Sequence, residues 1–248
     1  MHAKLTNKNK NSNNNKPYYI YGKHPAVQTL QNPLRKIIEI FCTEEIFNTY
    51  KDLIEEHPHE IVTSKHLNNL LPQSATHQGI IVKTNPINNT LESIDLSGEN
   101  TKIAILDQIT DPHNIGAIIR SAAAFNIKAI IMTHDNAAEE NGVMAKISCG
   151  GIETVPIIRV TNLRSAIDAL KKKGFWILGF DGGAKDFISQ KALSGKIGIV
   201  LGSEGVGMRR LTTESCDLLL KIPIESSMES INVSNAAAIV FYEAYKNN

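Results

Sequence analysis

Residues 102–120 read KIAILDQITDPHNIGAIIR, and the fold follows from how this stretch is punctuated. Residues 103–106 are a short, continuous apolar run, the signature of a parallel strand covered on both faces. A dense polar turn follows, and apolar residues then recur at helical spacing over 115–125. The same unit repeats along the chain. Further strands are expected at 129–132, 155–158, 176–180, 197–201 and 218–222, with helices at 141–148, 163–173, 208–213 and 233–245. Regular strand–helix alternation predicts an α/β sheet with ligands at the carboxyl ends of its strands.

Ahead of this region the pattern changes. Residues 17–86 mix short elements: helical spacing at 26–30, 43–56 and 64–71, and strands at 36–42, 60–63 and 79–83, which together make a small α/β unit. Residues 84–100 (TNPINNTLESIDLSGEN) have the Asn, Ser and Gly content of a linker, placed at 87–100. Residues 1–16 hold six Asn, four Lys and no acid, too little apolar surface to offset ordering, so a disordered polar tail is expected. The second large unit spans 101–248.

The 248 residues are 42% hydrophobic and 21% charged, as in soluble globular proteins. No apolar run reaches the length of a membrane helix, and the polar amino terminus lacks the apolar core of a secretory signal. Cys42, Cys149 and Cys216 lie far apart with no C-x-x-C, which argues against a disulfide framework or zinc ribbon and for a reduced, cytoplasmic setting. The scattered His residues make no H-E-x-x-H, so no metal is expected. The two glycosylation sequons, Asn88-Asn-Thr and Asn232-Val-Ser, are read as chance matches. Net charge is +1, divided as +4 over 1–16, −4 over 17–99 and +1 over 100–248. That weighs against a generic polyanion binder, which carries a strong basic excess.

Three strand ends carry unusual loops. In the first, Asp111, Pro112 and Asn114 are turn and cap types, so part of the polarity is structural. Arg120 follows near the amino end of the next helix, where the dipole disfavours a cation, which points to an anionic partner. The second loop, Leu201-Gly-Ser-Glu-Gly-Val-Gly-Met-Arg-Arg, has three glycines that let backbone approach a ligand. It is neither G-x-G-x-x-G nor a P-loop, and Glu204 favours a cationic or hydroxyl-bearing ligand over a phosphate. The third runs from Ile222 to Ser234, where helix capping accounts for one of Ser230, Asn232 and Ser234 but not for all three.

Read together, the loops resemble the SpoU/TrmH family of RNA ribose 2′-O-methyltransferases. The first motif is Asp111-Pro-His-Asn114-Ile-Gly-Ala-Ile-Ile-Arg120. The second runs from Ile199 through Glu204 to Leu211, and the third joins Ile222-Pro-Ile to Ser230-Ile-Asn232-Val-Ser234. Residues 149–163 (CGGIETVPIIRVTNL) are similar to the bacterial branch acting on a guanosine of 23S ribosomal RNA. Tyr21-Gly-Lys-His24-Pro-Ala-Val and His77-Gln-Gly-Ile80 resemble that branch's small L30-like substrate-binding domain.

The resemblance implies an α/β catalytic domain of SPOUT type with a deep trefoil knot, a homodimer, and S-adenosylmethionine as methyl donor. Backbone of Leu201, Gly202, Ile222 and Ile231 is expected at the cofactor. Arg120, Asn114, Glu204, Ser230 and Asn232 are expected as the catalytic set. Arg209, Arg210, Lys221 and Lys171 to Lys173 are candidate phosphate contacts on the RNA, although the lysine run reads first as a solvated helix end. A transfer RNA substrate, or a non-catalytic RNA-binding or assembly role on the same scaffold, are the alternatives.

Overall fold

The structure is a computed structural model, and it describes residues 16–188 and 193–246. The disordered tail expected over 1–16 lies outside these residues apart from its last position. The front unit holds β1 (Tyr18–Tyr21), α1 (Lys23–Gln31), β2 (Ile37–Cys42), α2 (Glu44–Thr49), α3 (Lys51–Ile54), β3 (His59–Ile61), α4 (Ser64–Leu70) and β4 (Ile80–Thr84). Its sheet runs β1-β4-β2-β3, antiparallel except for the parallel β2–β3 pair. Side-chain alternation feeds two cores. Ile40, Cys42, Ile80 and Val82 pack with Ala26, Leu30, Ile46 and Ile54 of the first three helices, while Phe41 and Ile81 turn to Leu67 of α4. The single helix expected over 43–56 is broken at Tyr50, whose backbone leaves the helical region. The first strand was not expected from the sequence.

The second unit follows the alternation. It comprises β5 (Lys102–Asp107), α5 (Pro112–Ala124), β6 (Ala129–Thr133), α6 (Gly142–Ile147), α7 (Gly151–Thr154), β7 (Ile157–Val160), α8 (Leu163–Lys172), β8 (Trp176–Phe180), β9 (Asp186–Phe187), β10 (Ile197–Gly202), α9 (Arg210–Glu214), β11 (Leu218–Lys221) and α10 (Val233–Tyr245). The sheet order is β7-β6-β5-β10-β8-β11-β9 and every ladder is parallel. Both faces are covered, which is why these strands read as unbroken apolar runs. Ala104, Leu106, Ile130, Met132 and Ile199 meet α5, α6, α7 and α10 on one face. Ile103, Ile105, Ile131, Ile177 and Val200 meet α8 on the other. The strand expected over 155–158 starts two residues later, because residues 151–154 form α7 and Pro156 has no N–H for the ladder.

The connecting segment is packed down. Leu91 and Leu96 are buried in the α8-side core, and Asn89 bridges to Ile158. The two units also meet directly. Arg35 Nε donates to Glu153 at 2.8 Å and Nη1 lies 3.4 Å from Glu140, with all three side chains almost fully buried. Tyr18 Oη donates to Glu140, and Thr29 and Asn32 donate to Glu153. Burial pushes the Glu140 carboxyl above its ordinary range, against the pull of Arg35, the Tyr18 hydroxyl and Arg159.

Candidate functional site

Parallel strands put all their carboxyl ends on one edge of the sheet, and the three unusual loops converge there. Leu201 and Gly202 end β10, and the chain then folds back sharply. Ser203 and Gly207 exchange backbone hydrogen bonds at 3.2 and 2.9 Å. A Cβ on Gly202 would sit 2.3 Å from the Gly207 carbonyl carbon, so only glycine permits this return. Gly205 and Gly207 have φ of +80° and +73°, a region costly for other residues. Val206 stands at the exposed tip.

The fold back brings Glu204 to the amino end of α10. Its Oε1 accepts from Asn232 Nδ2 at 2.6 Å, from the Val233 N–H at 3.2 Å and from Asn114 Nδ2 at 3.3 Å. Asn232 Nδ2 also donates to Asn114 Oδ1 at 3.0 Å. The other end of Asn232 caps α10, with Oδ1 accepting from the Ser234 N–H at 2.9 Å. Residues separated by 90 and 118 positions thus form one polar cluster. The carboxylate sits where the dipole of α10 and a main-chain N–H both favour negative charge.

Beside this cluster lies a cavity of about 540 Å³. Leu201, Gly202, Ile222 and Ile231, the four residues expected at a cofactor, all line it, together with Glu204 and Ser230. Phe180, Asp181, Gly182 and Gly183, from the end of β8, line it too. The sequence reading passed over that fourth loop, although an Asp-Gly-Gly following a buried parallel strand is the same kind of signal as the other three. The wall holds the carboxylates of Asp181, Glu204 and Glu229 against the single cation of Lys221. It suits a positively charged ligand bearing hydroxyls.

Arg120 does not join the cluster. Asp111 caps α5 and Pro112 opens it, so Arg120 is the ninth of thirteen helical residues, in the carboxyl half. The expectation of an unfavourable position at the amino end is therefore incorrect. The capping pair starts the helix before the apolar spacing becomes visible. Arg120 is exposed and has no ion-pair partner among the described residues. Four of the six candidate RNA contacts have partners within the chain. Arg209 Nε binds Asp107 Oδ1 at 2.7 Å, Arg210 pairs with Glu214, Lys171 pairs with Asp217 at 2.6 Å, and Lys221 Nζ lies 4.8 Å from the centre of the Phe187 ring. Asp107, fully buried, was also missed. It reads as the last residue of a strand, and its partner is 102 positions away. Among the described residues no group of three or more His, Cys, Asp or Glu is placed to hold a metal, and no helix is long and apolar enough to cross a membrane.

Comparison with known proteins gives a consistent result. Residues 101–242 match the model of the SpoU rRNA Methylase family, and residues 19–90 match that of RNA 2′-O ribose methyltransferase substrate binding. A relative from Vibrio cholerae, 23S rRNA (guanosine-2′-O-)-methyltransferase RlmB, is 36% identical over 242 residues, covering 92% of this chain and 96% of its own. The protein of that name from Escherichia coli K12 is 42% identical over 176 residues, covering 69% and 72%. Among solved structures, the SpoU methyltransferase AviRb from Streptomyces viridochromogenes, in complex with the cofactor AdoMet, superposes with a TM-score of 0.82 at 18% identity. That match covers 93% of this chain and 89% of the other.

Proposed function

The chain belongs to the SpoU rRNA methylase family, and on that premise we propose that it transfers a methyl group from S-adenosylmethionine to the ribose 2′-hydroxyl of a guanosine in 23S ribosomal RNA. The observation that carries the reading is the cavity at the strand ends, walled by Leu201, Gly202, Ile222 and Ile231 and bordered by the Glu204–Asn114–Asn232 cluster. Its volume falls in the roughly 300–1,000 Å³ range of small-molecule sites. Its excess of carboxylates matches a ligand carrying a sulfonium, an ammonium and ribose hydroxyls. When bound, S-adenosylmethionine supplies an electrophilic methyl group whose departure leaves a neutral thioether.

The chain's own residues then have two tasks, alignment and removal of a proton. Main chain of Leu201, Gly202, Ile222 and Ile231 holds the donor. Asn114, Glu204, Ser230 and Asn232 orient the acceptor ribose, with Glu204 fixed in place by its three donors. A free guanidinium is too weak an acid to serve as a base at neutral pH. Arg120 therefore grips the adjacent phosphate bidentately and places it, or a water, to receive the hydroxyl proton. The exposure of Arg120 in a single chain supports a site completed at a subunit contact. An apolar strip on α10, with Ile239, Tyr242 and Tyr245 exposed beside Phe125 at the end of α5, is the face we assign to a homodimer.

The front unit, residues 17–86, is read as an L30-like RNA-binding domain and 101–248 as the catalytic domain, joined by 87–100. The trefoil knot is read into the carboxyl-terminal domain. Its support is that β10 lies between β5 and β8 while α10 packs back against α5. Work on ribosomal RNA implies a cytoplasmic protein. Mass mapping of 2′-O-methylation in ribosomal and transfer RNA, from cells with and without the gene, tests the whole reading. A single guanosine methyl missing from 23S RNA is expected. A methyl missing from a transfer RNA, or no change at all, overturns it. Arg120→Ala is expected to abolish methylation with donor binding nearly intact.

A further inference from the structure

We propose that Asp107 and Arg209 form a clamp that sets the glycine loop 203–208, which makes both of them positioning residues for the donor cavity. Asp107 is the last residue of β5, and its carboxylate is completely buried. Oδ1 accepts from Arg209 Nε at 2.7 Å, and Oδ2 accepts from the Arg209 main-chain N–H at 2.9 Å. The register of the parallel pair sets Asp107 beside Gly202, where the loop leaves β10. The loop is therefore pinned to one strand end at both of its termini, by the ladder at Gly202 and by the carboxylate at Arg209.

Between these two points its internal bonds are few. They are the Ser203–Gly207 main-chain pair, a long Ser203 Oγ to Gly207 carbonyl bond at 3.5 Å and a Val206 N–H to Glu204 carbonyl bond at 3.0 Å. Two glycines at positive φ give the loop backbone freedom, and its tip is exposed. Glu204 is tied through its side chain to Asn114, Asn232 and the Val233 N–H, and the held ends fix the backbone on either side of it. Residues 202–207 line the cavity and carry Glu204, whereas Asp107 and Arg209 do not line it. The clamp therefore acts through the loop and touches neither donor nor acceptor. Its Nε and main-chain N–H being committed to Asp107, Arg209 is assigned to the loop in place of the RNA contact expected from sequence.

The consequence for donor affinity rests on the function proposed above, and the test separates the two. S-adenosylmethionine binding to the RNA-free protein is measured by calorimetry for wild type, Asp107→Asn, Arg209→Met, Arg209→Lys and the double variant Asp107→Asn/Arg209→Met. Amide exchange of residues 203–208 is followed in parallel. Losing a hydrogen bond to a charged group predicts donor binding weaker by roughly 10–100-fold in Arg209→Met. The double variant is expected to be no worse than the weaker single, and Arg209→Lys to recover part of the loss. Loop amides are expected to exchange at least about tenfold faster while those of α8 keep their protection. The salt dependence of RNA binding is expected to stay unchanged, whereas a phosphate contact would lower its log–log slope by about 1. Unchanged loop exchange in Arg209→Met overturns the clamp, as does unchanged donor affinity in a protein that binds the donor. If wild type binds no donor but loop exchange still responds, the clamp stands and the cofactor reading fails.

Discussion

Glu204 is the residue on which the candidate site depends, because its Oε1 collects three donors from α5 and the amino end of α10. Asn232 does double duty, capping α10 through Oδ1 and binding Glu204 through Nδ2. The two roles come apart on substitution. Asn232→Ala loses the cap, which costs about 1 kcal/mol. At this chain length that lowers Tm by roughly 2–4 °C. Asn232→Asp keeps a good cap but sets a second carboxylate against Glu204. The repulsion offsets the retained cap in the melt, and methyl transfer should fall on the order of a hundredfold from misplacement alone. Thermal melts beside a methylation assay check both outcomes. The cysteines give a prediction on pH. Burial pushes the Cys216 thiol up to about 12 and raises that of Cys42, while Cys149 is exposed. Since the thiolate is the nucleophile, iodoacetamide at pH 8 should label Cys149 first and leave Cys216 intact. Because the unfolded thiol ionises near its ordinary pKa and the folded one only near 12, Cys216 contributes stability below about pH 9. That contribution is lost as pH rises from there toward 12, which denaturant titrations at several alkaline pH values can follow.

At the scale of elements, α5 shows which signals are local. Asp111 accepts from the His113 N–H and Pro112 takes the first helical position, so the start of the helix is written in adjacent residues. Its packing against α6 depends on Gly116. A Cβ there would sit 2.9 Å from Ile147 Cβ and 3.0 Å from the Met144 carbonyl oxygen. Gly116→Ala is expected to destabilise by about 1–3 kcal/mol through overpacking, read as a fall in the urea midpoint. Nothing beside Gly116 in sequence announces that contact. The break between α2 and α3 is only faintly marked, since Asn48 and Thr49 before Tyr50 are weak helix formers but no Gly or Pro stands there. Strands 176–180 and helix 233–245 fall where the apolar pattern puts them, because burial on one or both faces is itself a periodic signal.

The whole molecule is joined by a buried ionic seam. Arg35 of the front unit is the cation nearest Glu140 and Glu153 of the second, and Tyr18, Thr29 and Asn32 complete their hydrogen bonds. Arg35→Met strands two carboxylates in the interior and should cost about 3–5 kcal/mol in urea unfolding. Glu153→Gln, which keeps the shape and an acceptor, should cost less. The alternation of strands and helices, the apolar core positions, the helix caps and the glycine loop at a strand end were all legible in the chain, since each rests on neighbours a few residues apart. The three motifs also carried the family. What joins Asn114 to Glu204 and Asn232, Asp107 to Arg209, and Arg35 to Glu153 was not legible, nor was the contribution of the β8 loop to the cavity wall. Those partners stand 90 or more positions apart, and a pairing over that distance leaves no periodicity. It exists only once the parallel sheet has brought separate strand ends to one edge and buried the charges that must then find one another.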